Sequence, residues 1–190
     1  VVAILDMGTD DESTYLAMEL LAGESLAARL GRVGTLPATD AIRLLRPVMD
    51  AVAVAHDKGI VHRDVKPENV LVGDRGDGLE RAVLLDFGMA KTNEAAWGHM
   101  TQSGVLVGTP YYMSPEQAEG APDLGPPTDV WSMGVLLYRA LSGDLPFTGN
   151  TPTALLLAIA RGEHVALSAR VPNLDPAVAA WVEGALVTDR

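Results

Sequence analysis

The spacing of the apolar residues changes along this chain, and that change limits the folds open to it more than any other feature. Val1 to Met7 and Thr14 to Leu20 are apolar-rich runs separated by Asp10-Asp11-Glu12-Ser13. Turn chemistry between two such runs predicts a strand hairpin. From Ala38 to Lys58 the period becomes helical. Ile42, Leu45, Met49, Val52 and His56 recur at steps of three and four, which predicts one face of a long helix, with Gly59 ending it in the left-handed conformation. Pro47 lies inside that segment, where the missing N–H and the ring clash cost about 3 kcal/mol or more, so a kink or a broken turn is expected there. Short apolar pieces follow, Ile60-Val61, Val70-Leu71-Val72 and Ala82 to Leu85, read as short strands between polar loops. Three further helices are predicted: Thr128 to Leu141 closed by Gly143, Pro152 to Arg161 closed by Gly162, and Pro176 to about Val187. Thr151 before Pro152 and Asp175 before Pro176 have the cap-then-proline order that helix starts favour. The expected fold class is α+β, a strand hairpin followed by a mainly helical body.

Composition narrows the function. The chain has 190 residues, enough for one domain with a buried core. Fourteen Lys and Arg against twenty-five Asp and Glu leave a net charge of −11, unsuited to gripping a nucleic-acid backbone or an anionic membrane. There is no Cys, which removes disulfide scaffolds, Cys-ligated zinc and thiol chemistry together. Apolar runs such as Ala154 to Ala160 are too short to span a bilayer, which takes about 20 residues. The expected compartment is the cytoplasm, with no membrane contact by this segment. Because the chain begins inside a strand-like run and stops just past a helical pattern, further elements are expected on both sides of it.

The chemistry sits in the loops between the short strands. His62-Arg63-Asp64-Val65-Lys66-Pro67-Glu68-Asn69 leads into Val70 to Val72, and seventeen residues after Asn69 comes Asp86-Phe87-Gly88. Phosphoryl transfer asks a protein to place a hydroxyl, hold divalent metal on nucleotide phosphates and supply charge where it develops. Asp64 can accept the hydroxyl proton, Asn69 offers a neutral amide oxygen to one Mg²⁺, and Asp86 offers a carboxylate to the metal bridging the β- and γ-phosphates. An isolated Asp in a loop is ordinarily a turn former, and it is the combination in order that carries the reading. By the same measure Asp129 reads as a helix N-terminal carboxylate, His62 as a packed histidine backing the loop, and His56 as helix surface or core. Asp74-Arg75-Gly76-Asp77-Gly78 lacks the alternating carboxylates of a calcium loop and reads as a strand connection. Hydrolase signatures are missing: there is no G-x-S-x-G elbow, no H-E-x-x-H pair and no Walker A loop.

With HRDVKPEN, DFG and GTPYYMSPE in that order, followed by DVWSMGVLLYRALSGDLPF, the chain resembles the eukaryotic-like Ser/Thr protein kinases, and VKPENVLV with SPEQA is most similar to the receptor-type kinases of bacteria. The resemblance implies a partial kinase domain over 1–190, with 1–20 a strand remnant of the N-lobe, 19–24 the hinge and 25–190 the helical C-lobe. It makes Asp64 the base that orients the acceptor hydroxyl, Lys66 the partner of the transferring phosphate, and Thr109 the residue bonding both. It gives Asn69 and Asp86 the metal positions. Met18, Glu19 and Leu21 fall where the family meets the adenine edge, with Leu71 under the ring and Glu24 near the ribose. Arg63, Phe87, Gly88, Glu116 and Asp129 become supports: Asp129 holds the loop's backbone, and Glu116 pairs with an Arg beyond the present C-terminus. Thr101 and Ser103, in an activation segment from Asp86 to Glu116, fall where related kinases phosphorylate themselves, and a phosphate there could pair with Arg63. The implied cofactors are ATP with Mg²⁺ or Mn²⁺. The implied partners are protein substrates and, in a longer parent, a second kinase copy.

One departure matters. A working kinase needs a Gly-rich loop over the phosphates and a strand lysine held by a helix glutamate. The only lysines here are Lys58, Lys66 and Lys91, and none precedes the long helix. The parent is expected to be an active kinase and the isolated chain inactive. The alternative is a pseudokinase-like scaffold that binds without turnover. Loss of hydrophobic cover also predicts self-association of the isolated chain.

Overall fold

In a computed structural model, the chain is described over residues 2–9, 13–74, 79–85 and 110–188. Strands β1 (Ile4–Thr9) and β2 (Thr14–Met18) form an antiparallel hairpin, Thr9 opposite Thr14 and Ile4 opposite Met18, with a register shift between Ile4 and Asp6. Both strands are shorter at their outer ends than the apolar runs suggest. Beyond Ile4 the chain turns toward the second sheet, where the Val2 N–H donates to the Leu84 carbonyl at 3.3 Å. That sheet has three antiparallel strands in the order β3 (Glu24–Ser25), β4 (Val70–Asp74) and β5 (Glu80–Leu84). Ile60-Val61, expected as a strand, is not one. The Ile60 N–H is spent on the Ala55 carbonyl at 2.9 Å, closing the helix before it.

Helix α1 (Leu26–Val33) went unread in the sequence. Its start signal is nonetheless present: Ser25 Oγ accepts from the Ala28 N–H, and Leu26 and Leu30, one turn apart, are its buried residues. Helix α2 (Ala38–His56) is the long helix, and Gly59 at φ +73° ends it as expected, with the paired bonds Ile60 N–H to Ala55 O and Gly59 N–H to His56 O. Its buried stripe is Ala41, Leu44, Leu45, Val48, Val52 and Ala55, rotated from the expected face, so that Ile42 is 39% exposed. The break expected at Pro47 does not occur. Pro47 lies on the exposed side of an uninterrupted helix, where water can satisfy the carbonyl left without a donor.

Helices α3 (Pro115–Glu119), α4 (Pro126–Ser142), α5 (Pro152–Arg161), α6 (Leu167–Arg170) and α7 (Pro176–Ala185) complete the described chain. The expected glycines close α4 and α5, Gly143 at φ +81° and Gly162 at φ +66°, and the Thr151 and Asp175 side chains cap α5 and α7. Burial almost all round makes α4 the centre of the core. Trp131 stacks on Phe147 with centroids 5.1 Å apart, and Gly134 admits Ala185 so closely that an added Cβ would stand 2.8 Å from it. Helices α2 and α4 pack against one another, α2 also against β5. This fixes the loop between α2 and β4 against the N-terminus of α4. Among the described residues no helix is long and apolar enough to cross a membrane.

Candidate active site

Residues 60–66 run from the end of α2 to a 3-10 turn, Pro67–Asn69, that opens directly into β4. Pro67, buried and at the first position of the turn, needs no N–H there. Three predicted site residues meet on this short stretch. Lys66 Nζ lies 2.9 Å from Asp64 Oδ2, while Asn69 Nδ2 donates to the Asp64 carbonyl at 2.8 Å and to Asp64 Oδ2 at 3.1 Å. With its nitrogen used on Asp64, Asn69 has its amide oxygen to offer a cation. The side chains of Asp64 and Lys66 are 22% and 23% exposed, enough for a substrate to reach them.

The loop's conformation is costly and is held from two sides. Arg63 has φ +66°, the left-handed region that a side chain with a Cβ avoids. Its N–H donates to Asp129 Oδ1 at 2.7 Å, and its carbonyl accepts from Gln117 Nε2 at 2.8 Å. Asp129, fully buried near the start of α4, also accepts from the His62 N–H at 2.8 Å and meets His56 Nε2 at 2.7 Å through Oδ2. The predicted helix-start carboxylate is therefore the anchor of the loop, and His56 on α2 is its third partner. His62 is fully buried and backs the loop: Nε2 donates to the Leu85 carbonyl at 3.0 Å, and Nδ1 accepts from the Asp64 N–H at 3.3 Å. Leu85 also donates its N–H to the Asn69 carbonyl at 2.8 Å, so the residue before Asp86 is tied to both ends of the loop.

The remaining predicted residues fall around this cluster. Leu71 is half-buried on β4, opposite Ser25 on one side and Val83 on the other. Met18 ends β2, and the Glu19 N–H and carboxylate both pair with Ala3. Leu21 is half-buried in the linker that follows. Glu24 is engaged by Arg29 and Arg32, whose guanidinium groups hold its carboxyl below the usual carboxylate range. Glu116 accepts from Thr128 Oγ1 at 2.7 Å. Asp86, Phe87, Gly88, Thr101, Ser103 and Thr109 lie outside the described residues, as do residues 10–12 and 75–78 of the two expected turns.

Gln117 and His56 were missed. The first had a legible signal, since Ser114 and Gln117 form a capping box three residues apart. The second had none, because His56 and Asp129 are 73 residues apart in sequence. Among the described residues, no three His, Asp or Glu side chains gather into a metal cage. The oxygen donors at hand, Asn69 and Asp64, suit a hard cation such as Mg²⁺ rather than a softer one.

Comparison with known proteins meets this geometry from the other direction. Residues 1–182 match the family model described as Protein kinase domain. The chain is 44% identical over 176 residues to the serine/threonine-protein kinase pkn2 of Myxococcus xanthus, covering 92% of this chain and 21% of that protein. It is 42% identical over 178 residues to the serine/threonine-protein kinase PknL of Mycobacterium tuberculosis, covering 94% of this chain and 41% of that one. Among solved structures, the crystal structure of Rad53 1-466 in complex with AMP-PNP aligns with a TM-score of 0.79 at 27% identity, over 100% of this chain and 46% of that chain. The chain therefore spans less than half the length of each of these relatives. A loop fixed by a buried aspartate, carrying Asp64, Lys66 and Asn69 within hydrogen-bond reach, and a family match over nearly all its length place the chain in the protein kinase domain family.

Proposed function

We propose that this chain carries the acceptor and metal side of a protein kinase site that moves the γ-phosphoryl group of ATP to Ser or Thr hydroxyls of protein substrates, in a signalling role. The observation that carries the reading is the Lys66–Asp64–Asn69 cluster. The Asp64 carboxylate accepts the acceptor hydroxyl's proton, and Lys66, whose Nζ lies 2.9 Å from Asp64 Oδ2, supplies positive charge to the transferring phosphoryl group. Asn69 and Asp86 would hold Mg²⁺, which when bound would neutralise charge on the nucleotide phosphates. By the family resemblance, Thr109 is assigned the role of partner to Asp64 and Lys66 beside the acceptor. The Glu19 carbonyl and the Leu21 N–H meet the adenine edge over Leu71. Names and contents of the relatives support this: two are named serine/threonine-protein kinases, and the structural neighbour was solved with AMP-PNP.

Regulation follows from Arg63. Its Nε is buried and has no hydrogen-bond partner among the described residues, which leaves it able to take a phosphate on Thr101 or Ser103. Replacing both by Ala is expected to remove activation and the corresponding phosphopeptides, and unchanged activity and phosphopeptide maps would refute this regulation.

Alone, the chain lacks the phosphate roof and strand lysine of the family, and its turnover is expected to fall well below the roughly 1 to 100 per second usual for kinases. The test is γ-phosphoryl transfer to protein by the intact gene product, parent against Asp64→Asn. Loss of rate by about a hundredfold or more supports the reading. Mg²⁺-dependent ATP binding with no transfer in the parent would instead identify a scaffold.

A further inference from the structure

We propose that Gly73, with Gly23 facing it, sets the spacing between the nucleobase end and the metal end of the site, as a positioning element rather than a catalytic one. The inference rests on the nucleotide reading of the site given above. The linker of residues 19–24 leaves β2 and comes down onto β4, where only two residues pair: Glu24 opposite Val72 and Ser25 opposite Leu71. Immediately before that pairing, Ala22-Gly23 crosses Val72-Gly73 backbone on backbone. A Cβ at Gly73 would stand 2.0 Å from the Ala22 carbonyl oxygen, 3.0 Å from its carbon and 3.1 Å from Gly23 Cα. From the other side, a Cβ at Gly23, which holds φ +154°, would stand 2.4 Å from the Val72 carbonyl oxygen. Every atom met is backbone, so no side-chain rotation relieves the overlap. One of the two segments must move.

The structure decides which. Strand β4 is fixed: Val70 and Val72 are buried, β5 pairs along its whole length, and Asn69 just before it is bonded to Leu85 and Asp64. Downstream of the crossing the linker is fixed too, because Glu24 is held by Arg29 and Arg32, and Arg29 reaches on to Glu80 of β5. Displacement by a side chain at 73 therefore falls on Ala22 and the residues before it, which carry the Leu21 N–H and the Glu19 carbonyl. Leu71 and Asn69 stay where they are. The adenine edge would lift away from its floor while the metal end keeps its geometry.

Gly31 of α1 provides the control, since a Cβ there meets nothing within 4 Å. The experiment titrates the full 190-residue chain with adenosine and, separately, with Mg²⁺–tripolyphosphate by ligand-observed NMR. Gly73→Ala is expected to weaken adenosine binding about tenfold while changing tripolyphosphate binding less than about twofold, and Gly31→Ala is expected to change neither. Adenosine binding equal in Gly73→Ala and the unsubstituted chain overturns the inference and leaves the nucleotide reading intact. Loss of both ligands in Gly73→Ala overturns it in favour of a general folding role. An unsubstituted chain that binds neither ligand overturns the nucleotide reading, and the inference with it.

Discussion

Three hydrogen bonds converge on the buried carboxylate of Asp129, from the His62 N–H, the Arg63 N–H and the His56 ring. Truncating that side chain leaves two backbone donors unsatisfied beside a left-handed Arg63, and each unmade buried bond costs about 1 to 3 kcal/mol. Asp129→Ala is expected to destabilise the chain by about 3 kcal/mol or more in urea denaturation. His56→Ala, which removes one partner at a side chain 15% exposed, is expected to cost about half as much. A cost for Asp129→Ala below about 1 kcal/mol would show that the loop holds its shape without the anchor. At this scale the sequence was partly legible. Phosphoryl-transfer chemistry singled out Asp64 and Asn69, the family resemblance added Lys66, and the structure brings the three within hydrogen-bond reach. His56 could not be read, because its role depends on two helices packing side by side and nothing local signals that.

At the scale of elements, helix ends were more legible than helix faces. Caps and closing glycines are local chemistry, and Thr151, Asp175, Gly59, Gly143 and Gly162 all act as their residue types suggest. Which stripe of α2 is buried depends on what packs on it, and a helix flanked by both β5 and α4 buries Ala41 and Ala55 where spacing alone favoured Ile42. Pro47 illustrates the same limit, since its effect depends on which way the orphaned carbonyl points. Pro47→Ala restores one helical hydrogen bond at an exposed position and is expected to stabilise the chain by about 1 to 3 kcal/mol, measured as a raised urea midpoint. No gain would mean that the helix has already relaxed around the proline.

The ionic bridge from β3 through α1 to β5 has a pH signature. Arg29 lowers the Glu80 carboxyl, and with Arg32 it lowers that of Glu24. A carboxyl depressed in the folded state stabilises fully above its unfolded value, near 4.5 for both, and that contribution disappears as pH falls through the lowered value. Arg29→Met is therefore expected to be less stable than the unsubstituted chain at neutral pH, with the difference closing as pH falls from 4.5 through the lowered values of the two carboxyls. A difference independent of pH would assign the effect to lost packing of the arginine stem.

At the scale of the whole molecule, the β1–β2 hairpin and the linker after it carry several of the most exposed large apolar side chains among the described residues. Ile4, Leu5 and Met7 are 56%, 69% and 68% exposed, and Leu20 is fully exposed. Such a face favours association, and Leu5→Lys with Met7→Lys is expected to reduce the sedimentation-derived mass of the chain toward 20.0 kDa. An unchanged mass would place any association elsewhere. The α+β architecture was legible because the change in apolar spacing follows the chain from hairpin to helical body. The distances within the site were not, because they come from α2, β4 and α4 packing together. In the proposed site, Asn69 and Asp86 would hold a divalent cation on a nucleotide beside Asp64. An electron paramagnetic resonance titration of Mn²⁺ with ATP on the unsubstituted chain and on Asp86→Asn tests this. A protein-bound Mn²⁺–ATP signal is expected in the unsubstituted chain and is expected to weaken about tenfold or more in the variant at unchanged fold stability. Equal signals in the two chains would contradict it.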